Sequence, residues 1–136
     1  MFEVLEHTAD TGFRAWGATR EAMFAAAAEA LVSIAIEIAD VEPRSPYEIG
    51  ARGEDEESLL VNFLNEVLYQ LDGARIAFRR FEVNQIEGDR IAATGWGEPR
   101  DAERHRARIV VKGVTYHQLR ITHTLERSEA EVYLDI

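Results

Sequence analysis

Two short stretches at the start of the chain alternate apolar and polar side chains. Residues 2–6 (FEVLE) and 12–17 (GFRAWG) have the period of two that is typical of half-buried strands. The polar segment HTAD, residues 7–10, lies between them. The pattern therefore predicts two strands that are joined by a connection at 7–10.

Two later stretches repeat their apolar residues at helical spacing. Thr19 is a suitable N-cap for a helix that runs to about residue 40. Asp55 is a suitable N-cap for a second helix, which has a continuous apolar face and ends at Asp72-Gly73. Residues 47–53, which lie between these helices in the sequence, briefly alternate apolar and polar side chains. The sequence thus predicts two helices with a strand between them.

The second half of the chain has the pattern of strands. Residues 81–86 and 90–96 flank Glu87-Gly88-Asp89 and predict a hairpin. A charged connection follows, with one helical turn capped by Asp101, and 108–123 is one long strand or a pair. Residues 131–136 form the last strand. We predict an α+β fold with a mainly antiparallel sheet, two helices packed on one face and a single domain over residues 1–136.

Composition narrows the class of protein. With 136 residues, 46% of them hydrophobic and 29% charged, the chain has the size and balance of one globular domain. It has no cysteine, which excludes disulfides, thiolate zinc sites and cysteine nucleophiles. No apolar run is long enough for a membrane span, and the N-terminus lacks the plan of a signal peptide. We expect a cytoplasmic protein.

The balance of charge bears on the partners. A net charge of −10 disfavours strong, direct binding to nucleic acid, because that affinity comes from neutralising phosphates with Lys and Arg. An acidic surface suits a basic protein or a metal cation. Lys112 is the one lysine among 15 basic residues.

The first candidate site joins the two ends of the chain. Asp10, Asp135 and the α-carboxylate of Ile136 offer only oxygen donors, the ligands of a hard cation such as Ca²⁺ or Mg²⁺. These residues meet if the first and last strands are neighbours. The alternative is that Asp10 makes a turn with Gly12 and the last strand ends in water. His7 suits an oxygen-only site poorly and is expected to support it or to be structural.

The second candidate is VKGVTYH, residues 111–117. On a regular strand Lys112, Val114 and Tyr116 would share one face, with His117 on the other. Gly113 within a strand indicates a bulge or a close approach of another group. Lys112 beside an acidic site would bind a phosphate or a carboxylate of a partner. The alternative is a solvated lysine.

A third candidate is a local run of basic residues, which we call the basic island. It would contact a nucleotide or RNA, or it is a solvated loop. No phosphate loop, Ser-His-Asp triad or metal-spaced histidine pair can be placed in the sequence. The members of the island are Arg100, Arg104, His105, Arg106 and Arg108.

Four segments together resemble the archease family. They are EHTADTGFRAWG, EESLLVNFLNEVLYQL, VKGVTYHQLRI and VYLDI, and they stand in the family's order and spacing over essentially the whole chain. Gly113 departs from the alanine that usually follows the family's motif lysine. The agreement of four segments in register makes the resemblance far more specific than any one of them.

The resemblance implies a function as well as a compact α+β fold. It implies a small cytoplasmic protein, not itself an enzyme, that activates the GTP-dependent tRNA-splicing ligase of the RtcB type. Activation promotes guanylylation of the ligase's active-site histidine and repeated turnover. Family members are also credited with broadening the ligase's nucleotide choice and with a chaperone-like effect on a tRNA methyltransferase.

The resemblance also implies roles for residues. A calcium-type site falls on Asp10, Asp135 and Ile136, with Mg²⁺ or Mn²⁺ as other occupants, and the lysine implicated in activation falls on Lys112. Tyr116 and His117, like His7, are expected either to support the site or to be structural. Two other functions stay open: a general chaperone for RNA-modifying enzymes, and a stand-alone metal-dependent hydrolase, for which the sequence shows no positioned nucleophile.

Overall fold

Strands and helices follow the order that the sequence predicts. The computed structural model describes residues 1–6 and 11–136, and within them the chain forms seven strands, two α-helices and one 3₁₀ turn. In chain order these are β1 (Phe2–Glu6), β2 (Thr11–Gly17), α1 (Arg20–Ala35), the 3₁₀ turn (Ile38–Asp40), β3 (Ser45–Arg52), α2 (Glu56–Asp72), β4 (Ile76–Glu87), β5 (Arg90–Pro99), β6 (Gly113–His123) and β7 (Ser128–Asp135).

The strands divide into two antiparallel sheets. One has the order β1-β2-β7-β6 and the other the order β3-β5-β4. The α+β class, the antiparallel pairing and the two helices are confirmed, and the pattern had not shown the division of the strands. The two central strands of the four-stranded sheet, β2 and β7, are hydrogen-bonded neighbours.

Helix α1 explains why two sheets are needed. Its residues are buried around nearly the whole circumference, from Met23 to Ala35, so a single sheet could not cover it. It packs on β2 and β4, while α2 packs on β3 and β6, and each helix therefore contacts both sheets. Small residues allow this closeness: a Cβ added at Gly17 would lie 2.5 Å from the Cβ of Ala22.

The helix ends follow local signals. Thr19 caps α1 by accepting a hydrogen bond from the N–H of Ala22 at 3.1 Å. Asp55 and Ser58 cap α2 reciprocally, with each side chain accepting from the other residue's N–H. Helix α1 ends at Ala35, earlier than predicted, because Ile36 turns to an extended conformation and pairs with Ala107.

The connections between the strands and helices follow the predictions in part. The hairpin is confirmed, with Gly88 in the left-handed region (φ 60°) at its turn. The one helical turn predicted at Asp101 is present: the N–H of His105 donates to the carbonyl of Asp101, four residues back, at 2.7 Å. The side chain of Asp101 caps it by accepting from the N–H of Glu103 at 2.9 Å. Regular pairing of β6 begins only at Gly113.

The described helices are short for a bilayer. In residues 1–6 and 11–136, no helix is both long and apolar enough to cross a membrane.

Candidate functional site

The end of β7 and the start of β6 bring two predicted site residues together. The N–H of Lys112 donates to the carbonyl oxygen of Asp135 at 2.7 Å, and the next residue, Gly113, pairs with Asp135 in the register of the sheet. Both side chains are exposed. Ile136 follows directly and is 45% exposed. Lys112, Asp135 and Ile136 therefore share one edge of the four-stranded sheet, which we call the Lys112 edge.

Strand β2 reaches the same edge from the other side of β7. Thr11, its first residue, pairs with Leu134. The neighbour of Thr11 in the sequence is Asp10, which lies outside the described residues, as does His7. The first and last strands, β1 and β7, are not neighbours as the candidate metal site required; instead β2, which follows Asp10 in the sequence, pairs with β7. The places of Asp10 and His7 stay predictions.

The charged side chains at the Lys112 edge have no ion-pair partner among the residues that the structure describes. Within the described part of the chain, neither the ammonium of Lys112 nor the carboxylate of Asp135 forms an ion pair. An exposed pair of this kind is available to groups from another molecule. Lys112 presents a flexible point charge, and Asp135 presents oxygen donors.

The donor chemistry fits a hard cation incompletely from the described residues alone. The side chain of Asp135 offers carboxylate oxygens, the kind of ligand that Ca²⁺ takes. Among residues 1–6 and 11–136, no group of three or more His, Asp or Glu side chains is placed to hold a metal ion. A complete site therefore needs the third predicted ligand, Asp10.

Helix α2 holds this edge in place through Asn65. The side-chain oxygen of Asn65 accepts a hydrogen bond from the N–H of Val114 at 3.0 Å. A Cβ added at Gly113 would have only Asn65, at 3.9 Å, near it. Among the described residues no other backbone approaches Gly113 closely, and an alanine would fit at this position without a clash.

The irregularity in β6 lies further along. Thr115 pairs with Tyr133, but the next paired residue is Arg120, opposite Glu131, so four residues of β6 stand across from one of β7. Gln118 in this segment has a φ of 55°. Because regular pairing ends at Thr115, the shared face of Lys112, Val114 and Tyr116 stays a prediction.

Tyr116 and His117 therefore lie apart from the Lys112 edge. Both side chains are exposed in the irregular segment. Tyr116 lines a groove with Asp55 and Asn62 at the start of α2, whereas Lys112 lines one at the helix's other end. The main-chain N–H of His117 donates to the hydroxyl of Thr115 at 3.1 Å. No contact in the structure assigns either residue to the predicted cation site.

The basic island serves the fold. Arg104 and His105 both bind the buried carboxylate of Glu98, with N–O distances of 3.0 and 2.9 Å. Arg100 pairs with Asp72 at 3.0 Å. Arg106 lies 3.6 Å from Asp40, and Arg108 donates to the carbonyl of Ser33 at 3.2 Å. Because each member has a partner within the chain, the structure favours the structural interpretation of this run over binding to RNA.

Glu98 is the centre of this arrangement. Burial by itself would raise its pKa, but hydrogen bonds from the N–H of Glu42 and from His105 and Arg104 outweigh burial and lower the pKa to about 2. Nδ1 of His105 accepts from the N–H of Asp101, so Nε2 carries the hydrogen that is donated to Glu98. This role of Glu98 was not predicted from the sequence. The one indication there is a charged residue within the otherwise uncharged stretch GWGEP.

A second arrangement missing from the sequence analysis joins three polar residues. Nδ1 of His123 lies 2.8 Å from the hydroxyl of Ser128, and Nε2 lies 2.7 Å from a carboxylate oxygen of Glu56. The order resembles a Ser-His-acid triad, but Ser128 is 7% exposed and pairs with His123 across the β6–β7 hairpin. The arrangement fastens that hairpin to the first turn of α2.

Comparison with known proteins places the chain. The family model described as "Archease protein family (MTH1598/TM1083)" matches residues 2–136. The chain belongs to the archease family. A protein archease of Methanosarcina barkeri is 38% identical over 140 residues, covering 100% of this chain and 96% of the relative. One from Pyrococcus abyssi is 41% identical over 124 residues, covering 88% and 87%.

Solved structures of archeases have the same fold. The solution structure of Methanobacterium thermoautotrophicum protein 1598 is 32% identical, with a TM-score of 0.83, and the match covers 99% of this chain and 98% of the other. An archease of Thermotoga maritima, described as a possible chaperone, has a TM-score of 0.64 at 20% identity, covering 97% and 94%. At that identity the second likeness shows the archease fold alone.

Proposed function

We propose that this protein activates a GTP-dependent RNA ligase of the RtcB type by promoting guanylylation of the ligase's active-site histidine and repeated turnover in tRNA splicing. Membership of the archease family supports the proposal. The observation that carries it is the Lys112 edge, where the side chains of Lys112 and Asp135 are both exposed and neither forms an ion pair with the described residues. A site of this kind acts on another molecule.

The charge of the protein supports a protein partner over an RNA partner. The net charge is −10, and the basic island is bound to Glu98, Asp72 and Asp40 or to main-chain carbonyls. RNA affinity requires Lys and Arg that are free to neutralise phosphates. In our proposal the ligase binds the RNA, and this protein binds the ligase.

Lys112 has the main role at the contact. Its ammonium neutralises negative charge on a phosphate or a carboxylate at the guanylylation centre, where negative charge must be stabilised. The main-chain bond to Asp135 and the link from Asn65 to Val114 hold the neighbouring backbone, so the lysine is presented from a rigid edge. Catalysis remains with the residues of the ligase.

A divalent cation, Ca²⁺ in the first instance, completes the proposed site. Asp10, Asp135 and the α-carboxylate of Ile136 would hold it, as hard oxygen ligands. When bound, such an ion supplies concentrated positive charge that polarises phosphoryl oxygens. The carboxylates of this chain otherwise repel one another, so the cation also allows them to lie together.

A single-turnover guanylylation assay with the cognate ligase tests the proposal. We expect the unaltered protein to accelerate formation of the ligase guanylate, and Lys112→Ala to lose most of that acceleration. Arg90→Ala is the matched control, because Arg90 is exposed on the hairpin of the other sheet. No acceleration by the unaltered protein would overturn the function, and full acceleration by Lys112→Ala would overturn the role of the lysine.

A chaperone for RNA-modifying enzymes, such as a tRNA methyltransferase, is the second candidate. The observation in its favour is that several large apolar side chains are exposed, Val110 at 75% and Leu125 at 107% among them. Suppression of aggregation for several unrelated clients, unchanged by Lys112→Ala, would favour this candidate. Activation confined to one ligase and dependent on Lys112 would exclude it as the main function.

A further inference from the structure

A shallow groove adjoins the Lys112 edge. It has a volume of about 270 Å³ and lies between the last turns of α2 and the segment that leads into β6. Leu68 and Val111 are buried at its base, and Tyr69 is 64% exposed at its side. Lys112 belongs to the same lining. The groove therefore combines an apolar base with a cation at one end, and we call it the Tyr69 groove.

Of the two charged residues that line the groove, one has an ion-pair partner among the described residues and the other does not. The carboxylate of Asp72 is paired with Arg100 at 3.0 Å, so its charge is largely neutralised from within the chain. The ammonium of Lys112 has no ion pair among the residues that the structure describes. Among the residues that line the groove, Lys112 is therefore the charged side chain that stays available to an occupant. An occupant with a negative group beside an apolar side chain complements it.

Tyr69 is well placed to be an anchor. It stands on the exposed side of α2, and a Cβ at Gly73 would lie 2.9 Å from its ring, so the ring rests closely over the glycine. The carbonyl of Tyr69 accepts hydrogen bonds from the N–H groups of Gly73 and Ala74, which end the helix. A tyrosine held in this way loses little conformational entropy on binding, and aromatic residues of this kind dominate binding energy at interfaces.

We propose that the Tyr69 groove is the docking surface for the ligase, and that it takes an apolar side chain of the ligase that stands next to a negatively charged group. The proposal rests on the proposed function. Docking at Tyr69 supplies affinity and brings the negative group to Lys112. The two residues thus have separable effects: Tyr69 sets the concentration at which the protein acts, and Lys112 sets how far it accelerates guanylylation.

Titration of the ligase with variants tests the proposal in two measurements. In the first, the concentration for half-maximal guanylylation is measured for the unaltered protein, Tyr69→Ser and Tyr69→Phe. We expect Tyr69→Ser to raise that concentration on the order of tenfold with the same maximum, a typical effect for an interface anchor. Tyr69→Phe keeps the ring and should behave as the unaltered protein.

Leu125→Ser is the matched control. Leu125 is 107% exposed in the turn between β6 and β7, at the opposite end of that strand pair from Lys112 and Asp135. The substitution removes an exposed apolar side chain that lies outside the groove. We expect no change in the concentration for half-maximal guanylylation. Equal thermal melting of all variants shows that folding is intact, as expected for exposed positions.

The second measurement is direct binding, by fluorescence anisotropy of the labelled protein with increasing ligase. We expect Tyr69→Ser to weaken binding by the same factor as it raises the half-maximal concentration. If Tyr69→Ser binds and activates as the unaltered protein does, the groove is wrong and the function stands. If the unaltered protein binds without activating, the function fails while weaker binding by Tyr69→Ser still supports the groove. An unaltered protein that does not bind the ligase overturns both.

Discussion

Lys112 and Asp135 are joined main chain to main chain, by an N–H···O hydrogen bond of 2.7 Å, while both of their side chains face solvent. The bond sets the backbone of Asp135, the last charged residue of β7, beside the backbone of the only lysine in the sequence. Because the side chains themselves are not paired within the described residues, changing either should alter function far more than stability.

The terminal carboxylate gives the first prediction. One glycine added after Ile136 moves the α-carboxylate by about 3.8 Å and leaves every side chain in place. We expect the affinity for Ca²⁺ to fall roughly tenfold or more, as it should for Asp135→Asn, because charge and ligand number set Ca²⁺ affinity. Isothermal titration calorimetry measures the effect. Glu126→Gln, an exposed carboxylate in the β6–β7 turn, is the control, and equal affinity of all variants would contradict the site.

Asn65 gives the second prediction. Asn65→Leu removes the acceptor of the Val114 N–H and leaves that group without its partner. We expect the free energy of unfolding to fall by about 1–2 kcal/mol, the usual cost of an unsatisfied donor. Urea denaturation measures it. Asn62→Leu is the comparison, since Asn62 is exposed and donates to the carbonyl of Arg52, and an equally large loss there would refute a special role for Asn65.

The third prediction concerns the stability of the folded protein at acid pH. The pKa of Glu98 is about 2 in the folded protein and ordinarily 4.5, so folding favours its charged form. The stability from this group is present above pH 4.5 and is lost as the pH falls towards 2. Glu98→Gln should be less stable at pH 7, and its stability should depend less on pH over that range. Parallel curves for the two proteins would show that Glu98 has no part in acid unfolding.

Glu29 on α1 should behave in the opposite sense. Burial raises the pKa of Glu29, although the N–H of Phe81 and nearby Arg79 and Arg80 oppose the effect. Folding therefore favours the protonated form, and that contribution is lost as the pH rises through the raised pKa. We expect Glu29→Gln to raise the melting temperature at pH 7 and to have less effect near pH 4. Glu21→Gln in the same helix should not stabilise, and a lower melting temperature for Glu29→Gln would contradict the prediction.

Much of the fold was predictable because its signals are local. The caps at Thr19 and Asp55 and the turn at Gly88 depend on residues within a few positions of one another, and the structure contains each of them. The end of α1 was less predictable. Apolar spacing continues past Ala35, but Ile36 pairs with Ala107, a residue far along the chain. A long-range contact therefore overrode the local helix propensity at the end of α1.

The candidate site divides in the same way. The types of its residues, an isolated lysine and a run of oxygen donors, are visible in the sequence. The separation of Lys112 from Tyr116 is not visible, because it depends on how β6 pairs with β7 beyond Thr115. The contacts of the basic island were hidden for the same reason, since Arg104 and His105 bind Glu98 only once the charged connection folds back on β5.

The sequence by itself determined the order of the strands and helices, their caps and hairpin turn, the acidic character of the protein and its resemblance to the archease family. Only the tertiary structure decided the division into two sheets, the meeting of Lys112 with Asp135 and the Tyr69 groove beside them. The physical reason is range. Caps, turns and periodicity are set by neighbours along the chain, whereas a site at a sheet edge depends on which distant strands pair and in which register.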